Sequence, residues 1–251
     1  MQFVFPQQKQ VASQIHKTLQ VFAESQGEIR PHFHLTGPSG SGKTHLLKTL
    51  AEDLKLPMIE LNAAQLTAEG LSGNSLSKAL RGLRQHWNVP NLIFVDEFDK
   101  LFQRNGEHTE GFRSMVQDEF LSALESDTTQ IFTDYGKYEP VVINNSLFVF
   151  AGAYSNQEIT NLRQLKDAGL RTEFVGRVPL IYSTCEIPLT ELTKMVSKTV
   201  LFQNYFALAG GQEKQHVQAI VKLLADQNRE FNIGIRLLTS CIHQHFIKAM
   251  Q

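Results

Sequence analysis

The chain has 251 residues, of which 42% are hydrophobic and 20% charged, and its formal net charge is −1 at pH 7. These values are typical of a globular protein with a substantial core, and they argue against nucleic-acid binding because neither sign of charge predominates. Cys185 and Cys241 have no zinc-binding spacing, and we interpret both as reduced core thiols. No secretory signal or membrane-spanning stretch is recognisable, so we expect a cytoplasmic protein.

The order of the predicted elements indicates an α/β fold followed by helices. Helical periodicity marks 11–23, 43–54, 76–86 and 111–125, and apolar strand patterns mark 32–36, 57–62, 91–95 and 146–153. A hairpin is predicted about Tyr135 to Tyr138, and beyond about Glu186 only helical patterns remain. Short apolar strands that alternate with helices predict a central parallel sheet between helices. We therefore expect an α/β domain over residues 1–184 and a small all-helical domain over residues 185–251.

The last helix of the predicted helical domain carries an apolar stripe. Its members recur every three or four residues and are Phe231, Ile235, Leu238, Ile242 and Phe246. This stripe should pack against the apolar positions of segment 217–224. Arg236 lies beside the stripe, and from periodicity alone it is an exposed helical arginine.

The glycine-rich segment GPSGSGKT at 37–44 matches the phosphate-loop pattern GxxxxGK[ST] and lies between a predicted strand and a predicted helix. Small residues let backbone N–H groups wrap a triphosphate, and the first amides of the following helix point at the same anion. Lys43 can reach the β- and γ-phosphates, and the Thr44 hydroxyl can ligate Mg²⁺. The predicted nucleotide-binding residues of this phosphate loop are Gly37, Pro38, Ser39, Gly40, Ser41, Gly42, Lys43, Thr44 and His45.

A second, acidic strand end is present in VDEFD at 95–99, and it supplies the groups that a phosphate-loop ATPase still needs. Asp96 can hold the Mg²⁺ shell, and Glu97 can orient and polarise the attacking water. A solvated acidic turn is the alternative interpretation, which the neighbouring phosphate loop makes the weaker one. We therefore expect ATP hydrolysis with ATP and Mg²⁺ as cofactors, and not nucleotide binding alone.

One arginine lies in an unusual apolar setting. Arg177 belongs to EFVGRVPLI at 173–181, a phrase that suits a buried strand or a packed turn. Because long cationic side chains are seldom buried without a partner, Arg177 needs an anion. Glu173, four residues earlier, is the obvious partner within the chain.

Two pairs of histidines could suggest a metal site. His32 and His34 alternate on the strand that leads to the phosphate loop, and His243 and His245 lie near the end of the last predicted helix. No third ligand type clusters with either pair. We therefore interpret all four as strand-facing or solvated side chains.

The phrases GPSGSGKT, VDEFDK, AGLRTEFVGRVPLI and NIGIRLL, in this order, resemble those of AAA+ ATPases, and more narrowly the Clp unfoldases ClpX and HslU. The resemblance runs from about Gln7 to the C-terminus. In that family a GL-x-x-EF-x-GR-x-P phrase carries an arginine finger, which implies that Arg177 reaches a γ-phosphate of the neighbouring subunit. The family's second sensor opens a helix of the helical lid domain, and this match implies that role for Arg236. The resemblance also implies a homo-oligomeric, hexameric ring.

The chain departs from ClpX in four places. It lacks the cysteine pairs of a zinc-binding N-terminal domain, and its segment Gly70-Leu71-Ser72-Gly73 has a leucine where the pore loop has an aromatic residue. It has no IGF tripeptide between the first-sensor strand and the arginine phrase, so we expect no docked ClpP-type protease. A polar first sensor has to be Ser155 or Asn156, because the strand ends in Ala-Gly-Ala.

Three functions follow from these patterns. The leading hypothesis is an ATP-driven ring that remodels or disassembles a protein substrate. A nucleotide-gated scaffold is an alternative that Leu71 favours, because a weak grip suits switching better than pulling. A nucleic-acid-linked ATPase, such as a helicase loader or transposition regulator, is a further alternative, against which the near-neutral charge argues. The Tyr135–Tyr138 hairpin could grip a peptide, stack on a base, or be an ordinary surface hairpin.

Overall fold

A computed structural model describes residues 5–67, 74–101, 110–133, 136–231 and 233–249, and the chain divides into two compact units. The first unit, here the α/β unit, comprises Gln8–Gly37 and Lys43–Thr184. The second, here the helical unit, comprises Phe5–Gln7, Pro38–Gly42 and the chain from Cys185 onward. The middle of the phosphate loop therefore groups with the helical unit, while its two ends group with the α/β unit.

The α/β unit is built on a five-stranded parallel sheet, as predicted. The strands of the whole unit, in chain order, are β1 (Phe33–Thr36), β2 (Met58–Asn62), β3 (Asn91–Asp96), β4 (Thr128–Phe132), β5 (Tyr138–Val142), β6 (Ser146–Gly152) and β7 (Leu180–Ser183). The sheet has the order β2-β3-β6-β1-β7, and all its neighbouring strands run parallel. The strands β4 and β5 form a separate antiparallel hairpin.

Helices cover both faces of the sheet because apolar residues on each strand point alternately to opposite sides. The helices of this unit are α1 (Lys9–Glu24), α2 (Lys43–Asp53), α3 (Leu76–Ala79), α4 (Glu110–Glu125), α5 (Leu162–Asp167) and α6 (Thr172–Arg177). On β6, Leu147 and Val149 belong to a core layer with α1 and α2. The intervening Phe148 and Phe150 belong to the opposite layer with α4 and α6.

Two predictions about this unit were wrong in detail. Only the first turn of the predicted helix 76–86 is α-helical, and Leu80–Gln85 continues as a 3₁₀-helix. Gly82 lies in this segment so close to Ile59 that a Cβ would be 3.3 Å from its side chain, which shows how tightly the segment packs on β2. EFVGRVPLI forms neither a buried strand nor a packed turn. It forms most of α6 and the start of β7, an edge strand, with Phe174 buried and Arg177 exposed.

The helical unit contains α7 (Leu189–Met195), α8 (Val200–Ala209), α9 (Glu213–Asn228) and α10 (Ile235–Ala249). The predicted stripe packs as expected at Leu238, Ile242 and Phe246, and α10 lies against α9. The prediction for Phe231 was wrong. Because α10 begins only at Ile235, Phe231 lies outside this helix, and it is 64% exposed. Among the helices that the structure describes, none has the length and apolar character that a bilayer crossing needs.

The two cysteines differ from each other. Both are free thiols, as predicted, and Cys241 is buried on α10. Cys185 is exposed, so its assignment to the core was wrong. It lies just beyond the end of β7, where the chain leaves the sheet, and not on an apolar face.

His34 is buried on β1, and among the residues that the structure describes neither of its ring nitrogens has a hydrogen-bond partner. The rings of Phe98, Phe150 and Phe174 surround it, with centroid distances of 5.8–6.3 Å. Burial lowers the pKa of His34 to about 3. The pKa of His32 is also lowered to about 3, mainly by burial and to a smaller extent by the nearby positive charge of Arg30. His34 is therefore a strand residue, as the sequence suggested, whereas His32 directly precedes the strand, and both are held in the neutral state.

These two depressed pKa values predict a loss of stability in mild acid. The unfolded chain takes up protons on both histidines as the pH falls through 6.5, whereas the folded chain does so only near pH 3. The free energy of unfolding should therefore fall between these values, by about 1.4 kcal/mol per pH unit for each histidine. His34→Phe should remove one of the two contributions, and denaturant unfolding at a series of pH values measures the slope.

His86→Phe is the matched control, because it removes a histidine from a partly exposed position outside the aromatic cluster. It should leave in place the contributions of the two buried histidines to the slope. If the free energy of unfolding of the His34→Phe variant falls with pH as steeply as that of the unmodified protein, His34 does not have this lowered pKa.

Candidate functional site

The phosphate loop begins with a glycine that no other residue can replace. Gly37 follows β1 with φ +133°, and a Cβ at this position would lie 2.2 Å from Thr184 Oγ1 and 2.4 Å from Thr184 O. Gly40 and Gly42 also have positive φ values, of 74° and 84°. The Lys43 ammonium donates to Gly37 O over 2.7 Å. The lysine at the far end of the loop is thus held against its start.

The N-terminus of α2 is suited to an anion. This helix has 11 residues and begins at Lys43, and its first turn contains no acidic side chain. The first amides of such a helix have no partner within the helix and carry partial positive charge. Lys43, Thr44 and His45 therefore open a helix that can receive a phosphate group, as the sequence predicts.

The acidic strand end lies beside the start of α2. The Thr44 hydroxyl donates to Asp96 Oδ2 over 3.4 Å, and Asp96 Oδ1 accepts a hydrogen bond from the Glu97 amide over 2.9 Å. Hydroxyl and carboxylate oxygens are the ligands that Mg²⁺ prefers, so Thr44 and Asp96 fit this ion chemically. Glu97 follows β3 with φ +55°, an uncommon conformation for a glutamate. Such outliers cluster at functional sites.

Other metal chemistry has no support in the part of the chain that the structure describes. No group of three or more His, Cys, Asp or Glu side chains there could hold a metal ion. In the helical unit, His243 accepts or donates a hydrogen bond with Tyr205 over 2.9 Å. His245 pairs with His216 over 2.8 Å, and burial, together with this neighbour, lowers the pKa of His245.

Asp99 was not singled out from the sequence, and it connects the acidic turn to the candidate first sensor. It is 3% exposed, and its carboxylate accepts hydrogen bonds from the amides of Ala153 (3.3 Å) and Tyr154 (3.0 Å). The segment Tyr154–Asn156, which contains Ser155, has three consecutive positive φ values. The available signal was an acid at the end of VDEFD, directly after the apolar Phe98, but its hydrogen-bond partners lie far along the chain.

Arg177 is the last residue of α6, and its side chain is 58% exposed. Its Nη2 lies 2.6 Å from Glu125 Oε1 at the end of α4. The predicted pairing with Glu173 is therefore wrong. Glu173 lies instead 3.9 Å from the guanidinium of Arg171, which reaches it from the residue before the helix.

Arg236 contacts the phosphate loop within the helical unit. Its Nη1 donates to Ser39 Oγ over 3.0 Å, and the preceding amide of Ile235 donates to Gly40 O over 3.2 Å. The helical periodicity of the sequence predicted that Arg236 is an exposed residue of the last helix. It is exposed, yet it also reaches the segment that the sequence assigns to phosphate binding.

The two predicted substrate-contacting segments are only partly described. Residues 70–73, with Leu71, and Tyr135 lie outside the described residues. Tyr138 is 52% exposed and packs edge-on against Phe132, with ring centroids 5.1 Å apart. Lys78 and Arg81 lie over the Phe132 ring at 5.3 and 5.8 Å. The turn end of the hairpin, together with α3 and the 3₁₀-helix that follows it, thus presents aromatic and cationic groups side by side.

The parallel sheet, the glycine loop with its lysine and the acidic strand end define the class of phosphate-loop nucleotide-binding α/β proteins. Residues 33–172 match the family described as "ATPase family associated with various cellular activities (AAA)". The chain belongs to this family. Nucleotide binding and the predicted AAA+ fold are thereby confirmed, and the family supports the prediction of an ATP-hydrolysing enzyme.

Curated relatives indicate the branch of the family. The chain is 28% identical to the "ATP-dependent Clp protease ATP-binding subunit ClpX" of Treponema denticola, over 86% of this chain and 64% of that protein. It is 26% identical to ClpX 2 of Wolinella succinogenes (84% and 63%) and 25% identical to ClpX of Bacteroides thetaiotaomicron (86% and 64%). The chain thus spans slightly less than two thirds of these relatives, which are of the Clp type.

Proposed function

We propose that the chain is the ATP-hydrolysing subunit of a homo-oligomeric, hexameric ring that remodels or disassembles a protein substrate. The observation that carries this proposal is the arrangement of Thr44, Asp96 and Glu97 beside a phosphate loop, in a chain of the AAA family. The similarity to ClpX proteins supports the ring and the protein substrate.

Each residue of the site has a proposed role. The N–H groups of Gly37, of Ser39 to Gly42 and of the first residues of α2, up to His45, bind the phosphates, whereas Pro38 has no N–H and contributes only to the shape of the loop. Lys43 contacts the β- and γ-phosphates. Thr44 and Asp96 hold Mg²⁺, which when bound neutralises charge that develops on the phosphate oxygens. Glu97 orients the attacking water and accepts its proton. Arg236 contacts the γ-phosphate of its own subunit.

Arg177 is proposed to act on the nucleotide of a neighbouring subunit. It precedes β7, whose first residue pairs with Phe33, the first residue of β1. The phosphate loop follows the last residue of β1. Arg177 therefore belongs to the amino end of these parallel strands and the loop to the carboxyl end, with about 10 Å of strand between them. This separation, and the exposure of Arg177, favour a phosphate on another chain over the chain's own.

The proposed ring makes hydrolysis depend on assembly. ATP hydrolysis per subunit should rise with protein concentration, in step with the assembled mass measured by sedimentation velocity, and then reach a plateau. A titration with a fluorescent ATP analogue at the lowest concentration serves as the control, because unassembled subunits should still bind nucleotide. A rate per subunit that stays constant from monomer to assembly would overturn the proposal.

A further inference from the structure

Two glycine backbones touch where the phosphate loop meets the start of α10, both within the helical unit. A Cβ on Gly40 would lie 2.0 Å from Ile233 O, and a Cβ on Gly234 would lie 2.4 Å from Gly40 O. Both residues have positive φ values, of 74° and 56°. Any side chain at either position would therefore force the two segments apart. The hydrogen bond from the Ile235 amide to Gly40 O closes the contact.

The contact brings a serine hydroxyl to a guanidinium. Ser39 precedes Gly40, Arg236 follows Gly234 by two residues, and Arg236 Nη1 donates to Ser39 Oγ over 3.0 Å. A guanidinium has five N–H donors in a rigid plane and no acceptor. One donor bonded to Ser39 fixes the orientation of that plane. Within the described part of the chain the other N–H donors of Arg236 make no hydrogen bond, so they are available to an anion.

We propose that Ser39 is a positioning residue for Arg236, and that the Gly40–Gly234 contact sets the distance at which the guanidinium faces the phosphate loop. The inference deepens the proposed function and rests on it, because it presupposes nucleotide in the loop. Ser39 orients the arginine toward the terminal phosphate of a nucleoside triphosphate, a group that a diphosphate lacks. The pair thereby makes the site selective for the triphosphate.

Nucleotide affinities of single and double variants test the role of Ser39. Fluorescent ATP and ADP analogues are titrated against Ser39→Ala, Ser39→Thr, Arg236→Ala and the Ser39→Ala/Arg236→Ala double variant. Ser39→Ala should weaken ATP binding about tenfold, the loss of one hydrogen bond to a charged group, and should leave ADP binding nearly unchanged. Ser39→Thr keeps the hydroxyl and should retain the preference for ATP. In the Arg236→Ala background, Ser39→Ala should have no further effect.

An additive double variant overturns the inference, because a serine that only touches phosphate would cost the same affinity with or without Arg236. An equal loss of ATP and ADP affinity overturns it as well. If the unmodified chain binds neither nucleotide, the proposed function fails, and the inference fails with it. If the chain binds both nucleotides and the effects are additive, only the inference fails.

Glycine variants test the contact itself. Gly234→Ala should reduce the preference for ATP at least as much as Arg236→Ala, since the start of α10 must move. Gly210→Ala is the matched control in the same unit: its φ is +65°, and a Cβ there would meet nothing within 4 Å. It likewise places a side chain at a positive φ, but without the clash, and should bind both analogues normally. An equal preference for ATP over ADP in Gly234→Ala and Gly210→Ala would contradict a role for the Gly40–Gly234 contact.

Discussion

Replacing Glu97 with glutamine is expected to slow ATP hydrolysis by about 10²- to 10⁴-fold while ATP binding persists. Glutamine keeps the size of the side chain, but its amide cannot accept a proton from the attacking water. The backbone of the turn should survive, because the hydrogen bond to Asp96 comes from the main-chain amide of Glu97. Phosphate release measures the rate, and titration with a fluorescent ATP analogue measures the binding.

Glu60→Gln provides a matched control for this change. Glu60 lies on β2 and pairs with Lys48 over 2.8 Å, and both side chains are partly exposed. Loss of such a surface pair has little effect on stability, so this variant should hydrolyse ATP normally. A Glu97→Gln variant with the rate of the unmodified protein contradicts the role of Glu97. A Glu97→Gln variant that loses binding and hydrolysis equally contradicts it too.

Arg177→Ala should reduce ATP hydrolysis by about 10³- to 10⁵-fold, the range known for arginines supplied to a nucleotide site in trans. The physical reason is the loss of a positive charge that faces the transferred phosphate in the transition state. Because the nucleotide is held by the neighbouring subunit's own loop, affinity for the ATP analogue should change little. The rate is measured by phosphate release at a concentration at which the ring is assembled.

The ion pair of Arg177 with Glu125 makes this variant suitable for the test. Both side chains are about half exposed, and exposed pairs add little to stability, so Arg177→Ala should unfold at the same denaturant concentration as the unmodified chain. Arg163→Ala is the control: Arg163 is 90% exposed and pairs with Asp167 one helical turn away. Its removal should leave hydrolysis unchanged. Equal rates in the two variants would remove Arg177 from the proposed site.

The central strands and the phosphate loop could be predicted from the sequence, because both depend on residues that are close together in the chain. Predominantly apolar runs such as 91–95 and 146–153 identified the central strands, because a strand covered on both faces is largely apolar. The phosphate loop was predictable for a similar reason. Its glycines, its lysine and its threonine act through adjacent residues, and contacts such as that of Lys43 with Gly37 O follow from the loop itself.

Contacts between distant segments could not be predicted. Arg177 pairs with Glu125 and not with Glu173, because α6 and α4 are brought together by the packing of the core. Asp99 accepts its hydrogen bonds from the turn after β6, which no spacing in the sequence indicates. The grouping of segment 38–42 with the helical unit depends on the contact between Gly40 and Gly234. Such pairings arise from the tertiary structure and leave no periodic signal.

The most direct test of the shared site is hydrolysis by mixed rings of the Glu97→Gln and Arg177→Ala variants. Each variant alone should be nearly inactive. In a mixed ring, an intact Glu97 on the Arg177→Ala subunit can meet an intact Arg177 on a Glu97→Gln neighbour, so the mixture should hydrolyse ATP. Glu97→Gln mixed with the Glu97→Gln/Arg177→Ala double variant is the control and should stay inactive, since no subunit then carries an intact Glu97. If the first mixture forms mixed rings and yet remains as inactive as its components, Arg177 does not complete the site of a neighbour.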